Sequence, residues 1–259
     1  MKIEVNYKLL LRLKICTFDE TLSKMKKILI ASTSTVHGKG YLEYILPELA
    51  EFFKGVNEIL FIPYARPGGI THEAYTEAAK KGFDKINIRI KGIHEFSNAI
   101  DAVNQTKGIF IGGGNTFLLV KQLYKMKLIS TIKNVVENGT PYFGTSAGSV
   151  IGGLTMQNTN DMPIIYPPSF ETFSFVNFNL NCHYLDPDPN STHMGETRET
   201  RINEYHTLNK TAVLGLREGS WLYLKEGKIT LKGPLNARLF QQNKPAIELP
   251  PETDLSFLT

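Results

Sequence analysis

The sequence predicts an α/β fold in which a mostly parallel sheet carries helices on both faces. Three observations carry that prediction. Short apolar runs such as "KILIAST", "EILFIPYA" and "GIFIGGGN" alternate with longer segments of helical periodicity. Continuous apolar runs suit strands that are covered on both sides. The last third turns to short period-two segments and tight turns, which predicts a β-rich C-terminal part.

In chain order, "KILIAST" is the first strand and "YLEYILPELAEFFKG" a helix closed by glycine. "EILFIPYA" is a second strand, followed by the helix "THEAYTEAAKKGFD" with Thr71 as its cap. "KINIRI" is a third strand, and "GIFIGGGN" a fourth that runs into the helix "TFLLVKQLYKMK". "LISTIKNVVENG" is a further helix, "PYFGTS" a fifth strand, and "AGSVIGG" the opening of another helix. Such alternation implies parallel βαβ units, with function beyond the carboxyl ends of the strands. "FVNFNLNCHY" alternates apolar residues with Asn177, Asn179, Asn181 and His183. "GETRETRINEYHTL" reads as a helix, and "AVLGL", "SWLYLKEGKITLKG" and "ARLFQQ" as strands with a hairpin at Glu226-Gly227.

Composition narrows the class. The 259 residues are 42% hydrophobic and 21% charged, as in a soluble globular protein large enough to bury a core without disulfides. The net charge of +4 is mild, and residues 1–24 supply +2 of it through five Lys/Arg against three Asp/Glu. No concentrated basic face for nucleic acid is evident. Cys16 and Cys182 form no CxxC, and "KLLLRLKIC" is too short and too charged for a membrane span or a signal peptide. A reducing, cytoplasmic location is expected. "MKKILIAST" from Met25 reads as the opening of the domain, so residues 1–24 are taken as an extension of unassigned role before a single domain, 25–259.

"FGTSAG" sets Ser146 between Gly144 and Gly148, after a strand and before a helix. That is the context of a nucleophile elbow, although a helix cap fits the same five residues. A serine nucleophile needs a base. Of histidines 37, 72, 94, 183, 193 and 206, those at 72, 94 and 206 read as surface residues among charges. His37 sits in a loop that follows the first strand. His183 ends the asparagine row, a face that suits either solvent or a pocket, and is the favoured base. Two carboxylates fit the orienting role, Asp161 in "NTNDMPII" and Glu218 in "GLREGSW". Each fits an ordinary turn equally well.

"GGGNT", residues 112–116, lacks the spacing of a dinucleotide site. Its amides are placed to face a ligand, or Asn115 caps the following helix, and the two are compatible. "DPDPN" lacks the glycine and glutamate of a calcium loop, and no HExxH or cysteine cluster occurs, so no metal and no cofactor are expected. Cys182 falls on the opposite strand face from His183 and reads as a packed core thiol.

"STVHGKGYLE", "IGGGNTF", "GTSAGS", "NTNDMPI" with "NCHY", and "GETRETRI" with "GLREGSW" occur in that order. Together, from about Met25 to about Gln241, they resemble peptidase E, the aspartyl dipeptidase family of serine peptidases. The resemblance implies a flavodoxin-like fold related to class I glutamine amidotransferases, with serine replacing their cysteine. It implies hydrolysis of Asp-Xaa dipeptides by Ser146 as nucleophile and His183 as base, with Asp161 ranked first and Glu218 second as orienting acid. It further implies an oxyanion hole from the Gly114 and Ala147 amides, with Arg198 and Asn115 meeting the substrate. Thr145 departs from the tryptophan common there, and Ser149 and Val150 replace small and amide residues. "GTSAG" is also similar to cyanophycinase, so a β-aspartyl substrate is the alternative, and a silent binding module a third reading. The expected partner is a small peptide, with neither nucleic acid nor membrane, and the chain acting as a monomer or homodimer.

Overall fold

A computed structural model describes residues 26–190, 192 and 194–258. The proposed extension, 1–24, and His193 lie outside the described residues. The elements are β1 (Lys27–Ala31), α1 (Leu46–Phe52), β2 (Glu58–Ile62), α2 (His72–Phe83), β3 (Arg89–Gly92), α3 (Ala99–Gln105) and β4 (Ile109–Ile111). They continue with α4 (Thr116–Lys125), α5 (Leu128–Glu137), β5 (Tyr142–Thr145), α6 (Ala147–Val150), β6 (Asn179–Cys182), α7 (Arg198–Leu208), β7 (Val213–Leu216), β8 (Trp221–Lys225), β9 (Lys228–Lys232), β10 (Ala237–Phe240) and β11 (Ile247–Leu249).

Seven strands form one sheet in the order β3-β2-β4-β5-β1-β8-β9. The first five are mutually parallel, and β8 and β9 add an antiparallel edge. The parallel part keeps the flavodoxin order 2-1-3-4-5, with the first strand of this chain in the fifth place. A second sheet, β11-β10-β7-β6, includes the parallel pair β6–β7.

The apolar runs follow from this layering. In β1, Ile28 and Ile30 face one buried cluster with α3, α4, α5 and the second sheet, while Leu29 and Ala31 face another with α1 and α2. On that second face Phe110 stacks on Phe143 at 4.7 Å and meets Phe61 at 4.8 Å. The Glu226-Gly227 hairpin is as expected: Lys225 pairs with Lys228, and the two turn residues have φ of 55° and 79°.

Several elements differ from the sequence reading. The helix of "YLEYILPELAEFFKG" begins only at Leu46, because Pro47 lacks an N–H and Leu42 turns the chain at φ 58°. The third strand starts at Arg89, since a short 3₁₀ turn ends at Asn87 with φ 58°. The strand of "FVNFNLNCHY" spans only Asn179–Cys182, and Asn179 and Asn181 on it are buried. β11 has no counterpart in that reading. Among the described residues, no helix is long and apolar enough to cross a membrane.

The turn after β5 is built on close backbone approach. A Cβ on Gly148 would lie 2.2 Å from the carbonyl oxygen of Ile111. Gly148→Ala must push β4 away from α6, an overpacking cost of about 1–3 kcal/mol or more. A lower thermal midpoint together with a greater fractional loss of activity is the expected outcome of thermal unfolding and assay.

Candidate active site

Ser146 closes β5 and immediately precedes α6. Its backbone sits at φ 52°, ψ −113°, a conformation foreign to most side chains. Three contacts hold it there. The Ser146 N–H donates to Ala31 O at 3.2 Å, and its carbonyl accepts from the amides of Ser149 and Val150. Ser149 Oγ lies 2.6 Å from Ala31 O and 2.7 Å from Gly144 O, a buried hydroxyl that ties the turn to β1. Ser146 makes no side-chain cap hydrogen bond to its helix, so the cap reading of this serine is set aside.

His183 arrives from the other sheet. It follows β6 at φ 54° and is placed by Ser32, the residue after β1. Ser32 Oγ accepts from the His183 N–H at 2.9 Å and donates to Leu216 O at 2.7 Å. One buried hydroxyl thus joins the ends of β1, β6 and β7. Nothing in the reading of the sequence singled out Ser32; its only signal is a small polar residue closing an apolar strand.

The ring of His183 bridges two side chains. Nε2 lies 2.9 Å from Ser146 Oγ, and Nδ1 lies 2.6 Å from Glu218 Oε1. A carboxylate only accepts, so Nδ1 carries the proton and Nε2 is left to accept from the serine hydroxyl. Serine, imidazole and carboxylate stand in file.

The structure thus brings Glu218, ranked second, to His183 and binds Asp161, ranked first, elsewhere. Asp161 Oδ2 accepts from the Thr116 N–H at 2.7 Å, from the Thr116 hydroxyl, and from Thr159 Oγ1 at 3.2 Å. Its carboxylate closes the first turn of α4 and fastens the 159–162 segment to the glycine loop. Asn115 adds a second tie: Oδ1 accepts from the Leu118 N–H at 3.0 Å and Nδ2 donates to Met162 O at 2.8 Å. The cap reading of Asn115 holds, and both ends of its amide are engaged.

Within the asparagine row Asn177 is exposed, while Asn179 and Asn181 are buried. Asn181 Nδ2 donates to Asn158 O at 2.8 Å, and Asn179 Oδ1 accepts from the Thr155 N–H at 2.9 Å. These two asparagines stitch β6 to the loop that carries Asp161. Burial and the nearby Asp161 charge push the Cys182 thiol far above its ordinary range, as expected for a packed core thiol.

The glycine loop lies against the serine. A Cβ on Gly113 would stand 3.4 Å from Ser146 Oγ. Gly114, at φ 143°, passes so close to Ala65 that a Cβ would lie 2.3 Å from its carbonyl oxygen. No described group accepts a hydrogen bond from the Gly114 or Ala147 N–H. α6 spans only four residues, so these amides rather than a long helix dipole supply the local positive field.

Arg198 opens α7 and shares with Arg201, Asp186 and Glu196 the wall of a cleft of about 520 Å³. The neighbouring ion pairs bypass it: Arg201 pairs with Glu196, and Glu199 with Arg238. Burial and Arg201 push the Arg198 guanidinium down, while Asp161 pulls it up. Among the described residues, His183 is the histidine hydrogen-bonded to Ser146 and Glu218. His206 is buried, contrary to its surface reading, with Nδ1 3.1 Å from Asn209 O. His94 is also largely buried, and His37 is exposed in a turn. Among the described residues, no group of three or more His, Cys, Asp or Glu side chains is arranged to hold a metal ion.

A strained serine between strand and helix, in file with histidine and carboxylate, has the form of a serine-hydrolase site on an α/β sheet. The chain belongs to peptidase family S51, whose model matches residues 28–232. It is 42% identical over 231 residues to peptidase E of Streptomyces coelicolor, covering 89% of this chain and 94% of that one. It is 40% identical over 240 residues to a probable alpha-aspartyl dipeptidase of Drosophila melanogaster, covering 92% and 99%. The fold is also that of a putative peptidase E from Listeria monocytogenes, with a TM-score of 0.62 at 20% identity over 81% of this chain and 98% of that one.

Two outcomes follow. Ser32→Ala leaves the buried His183 N–H without its acceptor, so stability falls by about 1–3 kcal/mol in denaturant titration and turnover falls with it. Cys182 stays unalkylated by iodoacetamide in the native protein at pH 8, and peptide mapping finds it modified only after denaturation.

Proposed function

We propose that this S51 member is a serine dipeptidase that hydrolyses dipeptides with N-terminal aspartate, Asp-Xaa. The observation that carries the reading is the file Ser146–His183–Glu218, in a chain 40% identical to a protein named a probable alpha-aspartyl dipeptidase.

His183 Nε2 takes the Ser146 proton as Oγ attacks the peptide carbonyl. Glu218 keeps Nδ1 protonated and offsets the imidazolium charge that forms. The Gly114 and Ala147 amides receive the tetrahedral oxyanion, each such donor typically contributing about 10²–10³-fold. The imidazolium then protonates the leaving amine, and water releases aspartate from Ser146 by the same steps. Asp161 serves by holding the glycine loop in register rather than by touching His183. Asn115 helps it do so, and we assign Asn115 no substrate contact of its own.

Recognition of the aspartyl side chain falls to Arg198. It is a cation on the wall of the cleft without a hydrogen bond or ion pair to any described residue, and its planar fork matches a carboxylate. A cytoplasmic location accords with Cys182 remaining a free thiol.

Hydrolysis of Asp-Leu beside its β-linked isomer, with chelator present, tests the reading. Wild type cleaves the α-linked dipeptide. Ser146→Ala loses roughly 10⁴–10⁶-fold in kcat and Glu218→Gln about 10²–10⁴-fold. Arg198→Met raises KM at least ~10-fold for Asp-Leu, while Asp161→Asn costs less in kcat than Glu218→Gln. Cleavage of only the β-linked isomer would move the substrate to that class, and a fully active Ser146→Ala would end the serine mechanism.

A further inference from the structure

His183 and Glu218 both stand just past the last paired residues of β6 and β7, where Cys182 faces Leu216. The ladder therefore does not fix the distance between them. Glu218 is half exposed, and its single side-chain hydrogen bond among the described residues goes to Nδ1 of His183. A carboxylate on three rotatable bonds holds such a geometry only if its backbone is anchored.

The anchor on offer is its neighbour. Arg217 is buried to 15% exposure, and all five of its N–H donors are engaged. Nε and Nη2 form a fork on Asp186, both at 2.8 Å. Nη1 and Nη2 form a second fork on Glu248, both at 2.9 Å, and Nη1 also donates to Asn236 O at 2.8 Å. Its plane lies over the ring of Tyr184, 5.4 Å from the centroid. That ring rests on β7, where a Cβ on Gly215 would come within 2.6 Å of it. The Tyr184 N–H donates to Leu216 O at 3.2 Å. Tyr184 and Asp186 are the first and third residues after His183. One guanidinium thus holds the chain leaving the histidine against the chain entering the glutamate.

We propose that Arg217 is a positioning residue, whose fork to Asp186 sets the separation of Glu218 from His183. The proposal rests on Glu218 being the orienting acid. The hydrogen bonds from Arg217 hold the Asp186 and Glu248 carboxyls below their ordinary values, so both keep their charge at neutral pH. Because Asp186 is half exposed, the pair contributes modestly to stability, and what the fork supplies is geometry.

The test is a double-mutant cycle on Asp-Leu hydrolysis, with thermal midpoints recorded for every variant. Arg217→Gln is expected to lower kcat by about 10–100-fold with KM changed by less than ~3-fold, as misplacement of a catalytic group does. Arg217→Lys keeps the charge but not the fork, and Asp186→Asn breaks the same link from the other side. Both should show the same kcat-selective loss, which keeps the test decisive if Arg217→Gln does not fold. Arg238→Gln removes an arginine of the same cluster that touches neither Arg217 nor Asp186, and should stay within about twofold of wild type. In Glu218→Gln, adding Arg217→Gln should cost less than about twofold more, because both act through one contact. A kcat within twofold of wild type in folded Arg217→Gln or Asp186→Asn overturns the proposal. So does a loss that simply multiplies with that of Glu218→Gln. Wild-type activity in Glu218→Gln would instead remove the orienting acid on which the proposal rests.

Discussion

One buried hydroxyl holds the two halves of the site together. The serine arises from the parallel sheet, at the end of β5, while the histidine and glutamate arise from the smaller sheet, at the ends of β6 and β7. Ser32 Oγ bonds both to the His183 amide and to Leu216 O from the end of β1. Without it the second sheet would still pack through its apolar face, but apolar packing is non-directional and tolerates small sliding. A hydrogen bond with defined donor and acceptor does not. The 2.9 Å between His183 Nε2 and Ser146 Oγ is therefore a consequence of where β1 ends.

The rest of the site follows from close backbone packing. Ser146 occupies a region of φ/ψ space that its own side chain disfavours, and persists there because its N–H is bonded to β1 and because α6 lies against β4. The same proximity brings the glycine loop after β4 beside the hydroxyl. Asp161 and Asn115 hold that loop from outside, through bonds to the 159–162 segment. Strain at one residue is thus supported by several ordinary hydrogen bonds around it, each of modest net strength.

The alternation of apolar runs and helical segments was legible in the sequence because buried parallel strands leave a periodicity that survives without tertiary knowledge. Ser146 was legible because a strand–turn–helix with two glycines is a local device. Other features were not. Nothing local shows that Asn179 and Asn181 are buried, because polar residues on a strand face satisfy water as readily as a loop. His206 read as a surface residue among charged neighbours, yet α7 turns it inward. The helix of "YLEYILPELAEFFKG" read too long because helical spacing of apolar residues outweighed a proline placed at its true start.

The choice of orienting acid separates the two kinds of knowledge. The sequence by itself determined the layered α/β fold and pointed to Ser146 and His183, since each depends on residues near in the chain or on a repeating pattern. Asp161 and Glu218 were chemically equivalent candidates, fifteen and seventy-two residues beyond Ser146. Only the tertiary structure separated them, because the chains leaving β6 and β7 bring residues thirty-five apart to within 2.6 Å, while Asp161 is bound to Thr116. That meeting depends on core burial and on Ser32, neither of which is encoded in the local stretch around either carboxylate.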